Sequence, residues 1–492
     1  MTETISLRRV ETGIPGLDTI LRGGLLQGGV YLLEGAPGGG KTLCANQICF
    51  HRAGLGDNTI YVTLLAESHT RMITHLRGMS FFKPELVGSA VYYISAFKVL
   101  ESSGLEGLVK SIQQAITQRQ ATFLVLDGLV SAEEMAPSER DFKKFVHELQ
   151  TISGMTGCTI LLLASSERPH DLRTDHTMVD GLIELGETLV GAHTIRHISV
   201  RKLRGVAQVR GRHAFEITNA GVRVRPRLET RLRGADDNDD APAVSNRLVP
   251  FGVTGLDAML RGGLPAGSNT IVFGPSGSGK TMLGLQFLAA GARVKERGLY
   301  LGFYERPRGV VAKAHRLGLG LGEAREHGLV DLLWEAPIEG VIDAVADRLL
   351  EAVAEKQVQR VCFDGLHGFR HHEDFPDRTR AVFTTLADEL SRHGVTSIFT
   401  LETPDLLGPR LEMPIGGISA LAENLILLRH LELRSHLRRL ITILKVRDHG
   451  YDSTIREFQI TDQGVVVADK FESAEQILTG AAHIIPGPES RG

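Results

Sequence analysis

The chain has 492 residues, 42% of them hydrophobic and 23% charged, and its 55 Lys and Arg against 58 Asp and Glu leave a formal net charge of −3. This is the composition of a globular protein with a core, which excludes fibrous and largely disordered classes. Cysteines at 44, 49, 158 and 362 form no CxxC pair, so neither a disulfide framework nor a zinc site is expected. The cytoplasm is therefore the expected compartment. Because every apolar run falls far short of the ~20 residues that span a bilayer, we expect no membrane insertion.

The first half opens with the motif TGIPGLDTILRGGLLQG at 12–28 and continues with short apolar runs separated by helical stretches. These runs are continuously apolar rather than alternating, a pattern typical of strands covered on both faces. They lie at 30–34, 60–65, 91–94, 123–127 and 159–164. Strands interleaved with helices in this way predict an α/β fold with a mainly parallel sheet sandwiched by helices.

The second half repeats the first. FGVTGLDAMLRGGLPAG at 251–267 matches the opening motif, and the lysines of two glycine-rich loops differ by 280 − 41 = 239 positions. Apolar runs recur at 270–273, 299–304, 361–364 and 397–401. A period of about 240 residues is too long for a solenoid unit, so we predict two self-sufficient tandem domains. We place them at 1–234 and 247–470, joined by an acidic linker at 235–246 and followed by a tail at 471–492.

The two glycine-rich loops, GAPGGGKT at 35–42 and GPSGSGKT at 274–281, fit the P-loop pattern GxxxxGK[ST] between a predicted strand and a helix. Glycines let backbone amides converge on phosphate oxygens, and the helix N-terminus adds its positive dipole end. The lysine reaches the β and γ phosphates and the threonine binds Mg²⁺, so ATP and Mg²⁺ are the expected ligands. The candidate nucleotide-binding residues are Gly35, Gly38, Gly39, Gly40, Lys41 and Thr42 in the first half and Gly274, Gly277, Ser278, Gly279, Lys280 and Thr281 in the second.

Acidic residues lie at the end of, or just after, two apolar runs in each half. Asp127 and Asp364 close apolar strands, where ligands of α/β sheets bind, so we predict that they support the Mg²⁺ site together with Thr42 and Thr281. The alternative is an aspartate that caps the next helix. Glu67 and Glu305 follow the strand after each P-loop helix and are the candidate general bases for the attacking water, the alternative being solvated loop glutamates.

Basic pairs occur late in each half, far along the chain from the P-loops. Lys202 with Arg204, and Lys445 with Arg447, are spaced by two and therefore share one face of a strand. Such a pair can complete the site of a neighbouring subunit by stabilising charge on the γ phosphate. An ordinary solvated basic edge strand is the alternative interpretation.

These motifs together resemble the KaiC-like ATPases of the RecA superfamily, over nearly the whole chain and as far as the segment at 440–465. The resemblance implies two tandem RecA-like P-loop domains, Mg²⁺-ATP at subunit interfaces and an ATP-dependent double-ring homohexamer. It also implies slow ATP hydrolysis in the first domain and, as in the clock proteins, serine/threonine autokinase activity in the second.

The chain departs from that family at two places. Clock-type members carry adjacent glutamates after the second strand, whereas Ala66-Glu67 and Glu305-Arg306 stand here with one carboxylate each. In the phosphoacceptor segment at 414–424, Ser419 remains and Ala420 takes the threonine position. We therefore expect no two-site phosphorylation cycle there, with Ser419 as the candidate acceptor or, alternatively, a small residue that packs a loop.

The function expected from these features is a slowly hydrolysing ATPase that acts as a regulatory timer or switch, with signalling or clock-type proteins as partners. One alternative is a recombinase-like DNA-dependent ATPase, because residues 196–233 hold eleven Lys or Arg against two acids. That stretch has a single aromatic residue, Phe215, for base stacking, so a nucleic-acid partner is not favoured. A second alternative is an ATP-gated scaffold for signalling proteins with little turnover.

Overall fold

The computed structural model describes residues 8–64, 69–165, 177–190, 193–231, 247–336, 341–368, 378–403, 422–433 and 436–468. The chain divides into two compact units, Met1–Thr230 and Arg231–Gly492, called unit 1 and unit 2 below. Each unit contains one copy of the repeat. Among the helices of the described ranges, none combines the length and the apolar character needed to cross a membrane.

A nine-stranded sheet forms the centre of unit 1. The strands of the unit are β1 (Arg9–Val10), β2 (Leu25–Leu26), β3 (Val30–Gly35), β4 (Thr59–Thr63), β5 (Val91–Ser95), β6 (Phe123–Asp127), β7 (Thr159–Ser165), β8 (Gly181–Val190), β9 (His193–Leu203), β10 (Arg212–Thr218) and β11 (Gly221–Arg225). Their order in the sheet is β11-β10-β9-β8-β3-β7-β6-β4-β5, while β1 pairs with β2 alone. The pairs from β8 to β5 are parallel, and those from β8 to β11 are antiparallel.

Helices cover both faces of this sheet. They are α1 (Leu17–Ile20), α2 (Lys41–Gly54), α3 (His69–Leu76), α4 (Phe97–Arg119), α5 (Leu129–Glu134) and α6 (Glu139–Thr156). In β3, Tyr31 and Leu33 pack into an apolar cluster with α2, whereas Val30 and Leu32 pack on the other side with α4 and α6. Both sides of the strand are buried, which is why its sequence is continuously apolar.

Unit 2 repeats this architecture. Its strands are β12 (Leu248–Val249), β13 (Leu264–Pro265), β14 (Asn269–Gly274), β15 (Gly298–Gly302), β16 (Val330–Trp334), β17 (Arg360–Asp364), β18 (Thr396–Glu402), β19 (Asn424–Leu433), β20 (His436–Val446), β21 (Arg456–Thr461) and β22 (Gly464–Val467). The nine-stranded sheet has the order β16-β15-β17-β18-β14-β19-β20-β21-β22, again parallel up to β19 and antiparallel beyond it.

The helices of unit 2 lie on both faces of its sheet as well. They are α7 (Thr254–Met259), α8 (Lys280–Arg293), α9 (Pro307–Arg316), α10 (Leu321–Glu326), α11 (Ile342–Lys356) and α12 (Arg378–Arg392). Val272 and Tyr300 share an apolar cluster with residues of α8. On the opposite face the ring of Phe399 lies 4.9 Å from that of Phe383 on α12. Such aromatic pairs bury large apolar areas and hold the layers together.

The repeated GLDxxLRGGL motif has a structural role in both units. The carboxylate of Asp257 accepts hydrogen bonds from the amides of Phe251, Gly252 and Val253 at 2.7, 3.0 and 3.1 Å. Asp18 accepts equivalent bonds from the segment before α1, including one from the Thr12 amide at 3.0 Å. These bonds satisfy backbone amides at the entry to each unit, which accounts for the repeat of the motif.

The prediction of two tandem α/β domains with mainly parallel sheets is confirmed, and each predicted apolar run overlaps a strand. Strand β16 was missed because Asp331 interrupts its apolar pattern, as is common at a sheet edge where burial is incomplete. The antiparallel strands that widen both sheets were not assigned individually either. The predicted linker and tail lie outside the described residues, so the proposed boundaries remain predictions.

Candidate nucleotide-binding sites

The two P-loops connect the central strand of each sheet to the helix that follows it. In unit 1 the strand β3 ends at Gly35, the turn contains Gly38, Gly39 and Gly40, and α2 begins with Lys41 and Thr42. In unit 2 the strand β14 ends at Gly274, the turn contains Gly277, Ser278 and Gly279, and α8 begins with Lys280 and Thr281. Each helix therefore presents its first amide groups to the loop, an arrangement that favours anions.

Close packing and backbone conformation both require glycine at the last loop position. Gly40 has φ 99°, and a Cβ there would lie 2.9 Å from the Cδ1 of Ile217. Gly279 has φ 104°, and its Cβ would lie 2.6 Å from the Cζ of Phe458. In contrast, a Cβ at Gly38 or Gly277 would meet no atom within 4 Å. The loop is therefore packed against an antiparallel strand on one side and open on the other.

The P-loop lysines lie against the loops that precede them. The Nζ of Lys41 donates to the carbonyls of Gly35 and Ala36 at 2.8 and 2.9 Å. The Nζ of Lys280 donates to Gly274 and Pro275, both at 2.8 Å. Burial lowers the pKa of both lysines, an effect that nearby carboxylates oppose. Each ammonium group is thus held at the loop, where it can neutralise an anion.

Asp127 and Asp364 lie beside the P-loop threonines. In unit 1 the Oδ2 of Asp127 accepts from Thr42 at 3.4 Å and from the hydroxyl of Tyr61 at 2.6 Å. In unit 2 the Oδ2 of Asp364 accepts from Thr281 at 2.9 Å and from Tyr300 at 2.7 Å. Burial raises the pKa of Asp127.

These oxygen groups fit a magnesium ion. Mg²⁺ prefers hard oxygen ligands, and the threonine hydroxyl with its neighbouring carboxylate supplies them in both units. The close approach of Thr281 and Asp364, at 2.9 Å, is the observation that supports this fit. Thr42, Asp127, Thr281 and Asp364 are therefore the residues that would hold the ion.

The second site contains polar groups that have no counterpart of the same type at the matching described positions of the first. Thr400, on the strand next to Asp364, donates to its Oδ1 at 2.6 Å and accepts from the Gly365 amide at 2.8 Å. Two residues later, Glu402 pairs with Gly274 in the parallel register of the sheet. In unit 1 the neighbours in the same registers are Leu163 beside Asp127 and Ser165 beside Gly35.

A cavity of about 980 Å³ opens over the second P-loop. Its lining includes Lys280, Thr281, Asp364, Glu305 and Glu402. The predicted base Glu305 therefore shares a cavity with the P-loop. Its carboxylate forms an ion pair with Lys313 of α9, a residue that also lines the cavity. Glu67, the predicted base of the first domain, lies outside the described residues.

The basic pairs do not lie at the P-loops of their own units. Leu203 of β9 pairs with Gly181, which pairs with Tyr31 near the start of β3, whereas the P-loop follows the far end of β3. Lys202 donates to the Thr177 carbonyl at 3.0 Å, and Arg204 contacts Asp180 at 3.4 Å.

The basic pair of unit 2 has the same placement. Lys445 donates to the Ala422 carbonyl at 2.6 Å, and the Arg447 amide donates to the Glu423 carbonyl at 3.1 Å. Ala422 and Glu423 directly precede Asn424, which pairs with Thr270, so the basic pair lies next to the start of the central strand. Both basic pairs thus lie near the start of the central strand, at the end of the strands opposite the P-loop. In neither unit do they complete the unit's own site.

Much of the positive charge between residues 196 and 233 is paired with acids. Arg196 contacts Glu187 at 3.2 Å, and Arg201 contacts Glu184 at 2.5 Å. Arg225 contacts Glu216 at 3.4 Å. Because these carboxylates offset the arginines, this segment is a weaker electrostatic footprint for nucleic acid than its composition indicates.

Sequence reasoning missed Tyr61, Tyr300, Thr400, Glu402 and Lys313. The two tyrosines carried a usable signal, since they differ by 300 − 61 = 239 positions, the offset of the P-loops. The other three have no counterpart of the same type in unit 1, so comparison of the two halves does not reveal them. Ser419 lies outside the described residues.

Comparison with known proteins agrees with this architecture. A sequence model of the KaiC ATPase family matches residues 10–229 and again residues 249–472. The circadian clock oscillator protein KaiC of Rippkaea orientalis is 25% identical over 491 residues, covering 97% of this chain and 92% of the relative. The protein of the same name from Synechococcus elongatus is 24% identical and covers 98% of this chain and 93% of that relative. With two matched domains that span most of its length, the chain belongs to the KaiC family of ATPases.

Proposed function

We propose that both units bind ATP with Mg²⁺ and hydrolyse it slowly, and that the chain acts as a homohexameric regulatory timer or switch in the cytoplasm. The observation that carries the proposal is the same set of groups in both units. A P-loop lysine, a threonine, an aspartate and a tyrosine lie together at the end of each central strand. An ATPase family domain matched twice also supports it.

In this mechanism the loop amides and the lysine bind the phosphates, and the threonine and aspartate orient the metal. When bound, Mg²⁺ neutralises charge on the β and γ phosphate oxygens. Tyr61 and Tyr300 hold Asp127 and Asp364 through hydrogen bonds of 2.6 and 2.7 Å. Glu305 in unit 2 orients the attacking water and accepts its proton, and Glu67 has this role in unit 1.

The basic pairs belong to the sites of neighbouring subunits in this proposal. Each pair lies at the end of the strands opposite its own P-loop: Lys202 and Arg204 in unit 1, Lys445 and Arg447 in unit 2. A second copy of the chain is therefore needed to bring such residues to a γ phosphate. This requirement supports an ATP-dependent ring. Signalling or clock-type regulatory proteins are the proposed partners, and Ser419 is the proposed acceptor of an autokinase reaction in the second domain.

Two measurements test the proposal. Phosphate release should persist at a reduced rate in Lys41→Ala and in Lys280→Ala, because each change removes nucleotide binding from one unit. It should vanish in the double variant. Size-exclusion chromatography should give a hexamer with Mg²⁺-ATP and smaller species without it. A double variant that releases phosphate at the parental rate would refute the assignment of the sites.

Autophosphorylation has its own test. After incubation with Mg²⁺-ATP, phosphopeptide analysis should find phosphate on Ser419, and Ser419→Ala should lose it. A parental protein without phosphate at this residue would end the kinase part of the proposal and leave the ATPase part untouched.

A second candidate function is an ATP-gated scaffold with little turnover. The ion pair between Glu305 and Lys313 favours it for unit 2, because a carboxylate held by a lysine is a weaker acceptor of the water proton. Hexamers that form with ATP while phosphate release stays at the background rate would identify the scaffold. Phosphate release that rises with added single-stranded DNA would instead favour the recombinase-like alternative.

A further inference from the structure

A further cavity lies on the surface of unit 2, between α9 and α10, and is called the arginine groove below. Its volume is about 560 Å³, and its lining residues are Arg308, Val311, Ala312, His315, Arg316 and Arg325. None of these residues lines the cavity over the second P-loop. The two helices approach closely here, since a Cβ at Gly322 of α10 would lie 3.5 Å from the Cγ1 of Val311.

One side of α9 forms a wall of the arginine groove. The lining residues of this helix recur at intervals of three and four positions, so they share one side of it. A neighbouring side is buried, with Val310 and Ala314 in the apolar cluster of the unit. Lys313 lines the nucleotide cavity instead, where it pairs with Glu305. The groove side of α9 therefore serves neither the core nor the candidate nucleotide site.

The charged groups of the arginine groove are positive. Arg308, Arg316 and Arg325 are all exposed, and within the described ranges none of them forms an ion pair or a side-chain hydrogen bond. By comparison, Arg348 and Arg438 of the same unit each pair with a glutamate. Like charges that line one cavity repel each other, so a negatively charged ligand would stabilise this arrangement.

The surface between the arginines is apolar. Val311 is partly buried and Ala312 is exposed, so a ligand that fills the groove places an apolar group against them. From Arg308 to Arg316 the helix rises by about 12 Å, which an extended segment of about four residues spans. Among the described lining residues no Phe, Tyr or Trp offers a ring on which a nucleic-acid base could stack. These features favour a short peptide segment over a nucleic acid.

We propose that the arginine groove is a docking site for an acidic segment of a partner protein, in which carboxylates flank an apolar side chain. The carboxylates pair with the three arginines, whose planar guanidinium groups match carboxylate geometry. The apolar side chain packs on Val311 and Ala312. Because the groove and the nucleotide cavity share no lining residue, docking does not depend on the proposed ATP hydrolysis.

Binding of a fluorescein-labelled peptide to the full chain tests this inference. In the probe, glutamates flank a central leucine, and fluorescence anisotropy gives the dissociation constant. Arg308→Glu combined with Arg316→Glu should weaken binding by at least about tenfold, and Arg325→Glu by about threefold, because repulsion replaces attraction. A probe with serine in place of the leucine should bind about fivefold more weakly, since it loses the apolar contact.

Three controls separate the groove from net charge, misfolding and nucleotide binding. Arg293→Glu reverses the charge of an exposed arginine at the end of α8, outside the groove lining, and should change the dissociation constant by less than about twofold. Arg308→Gln combined with Arg316→Gln, a milder change, should still weaken binding by about fivefold. The probe should bind equally well to the Lys41→Ala, Lys280→Ala double variant, even if the proposed ATPase function fails.

Four results would overturn the inference. The first is a parental protein that does not bind the probe, and the second is equal weakening by Arg293→Glu and the groove variants. The third is binding of single-stranded DNA or phosphatidylserine vesicles, but not of the probe, that the groove variants abolish. The fourth is loss of oligomers with Mg²⁺-ATP in those variants, since the groove would then be a contact between copies of the chain.

Discussion

Thr400→Val tests how the second magnesium-site carboxylate is held. The change keeps the shape of a fully buried side chain but removes the hydroxyl that donates to the Asp364 Oδ1 at 2.6 Å and accepts from the Gly365 amide at 2.8 Å. A hydrogen bond to a charged group contributes about 1.5–3 kcal/mol and a neutral one about 0.5–1.5 kcal/mol. Because Asp364 is partly exposed, water replaces part of the first bond. We therefore expect a loss of about 2 kcal/mol from the free energy of unfolding of unit 2.

Differential scanning calorimetry of the full chain measures this loss. For a domain of this size, about 2 kcal/mol corresponds to a fall of about 4–8 °C in the transition of unit 2, with that of unit 1 unchanged. Thr385→Val is the matched control, since its buried hydroxyl bonds, within the described part of the chain, the Ala381 carbonyl of its own helix at 2.9 Å. A fall no larger in Thr400→Val than in Thr385→Val would refute the reasoning.

Three other predictions concern unit 2. Lys313→Thr removes the ammonium group that pairs with Glu305 and should raise phosphate release in a Lys41→Ala background by up to about fivefold, whereas an unchanged or lower rate contradicts the ion-pair argument. Asp257→Ala leaves three amides without their carboxylate and should lower the free energy of unfolding in urea by about 2–4 kcal/mol, and a loss below about 1 kcal/mol contradicts this role. Burial lowers the pKa of His430 from 6.5 in the folded protein, so the folded state favours the neutral imidazole. The contribution of this residue to the free energy of unfolding is therefore present above about pH 6.5 and is lost as the pH falls below it. His430→Gln should therefore lose less stability than the parent between about pH 7.5 and about pH 5.5, and an equal loss contradicts the assignment.

The fold could be predicted from the sequence because its central strands are buried on both faces. In β3 both Leu32 and Leu33 contact apolar clusters, one on each side of the sheet, so the whole run is apolar and stands out. At the lateral edge of the sheet the strands are only partly buried, so their apolar pattern is weaker. Asp331 interrupts the apolar run of β16, which was therefore not predicted. The internal repeat supplied the rest, since two matched P-loops in matched contexts are not a chance pattern.

The candidate site was only partly readable because its groups come from several strands. Lys280 and Thr281 stand in one motif, and Asp364 ends an apolar run, so local sequence was sufficient for them. Thr400 and Glu402 reach the site only through the register of β18 beside β14 and β17, which is a property of the folded sheet. No local pattern carries that information.

The number of nucleotides bound per chain tests the central claim most directly. Equilibrium dialysis with a slowly hydrolysed ATP analogue should give two nucleotides per chain in the presence of Mg²⁺, one in Lys41→Ala and one in Lys280→Ala. Chelation of the metal should weaken binding at both sites. A parental protein that binds no nucleotide, or that binds equally well in the double variant, would contradict the account.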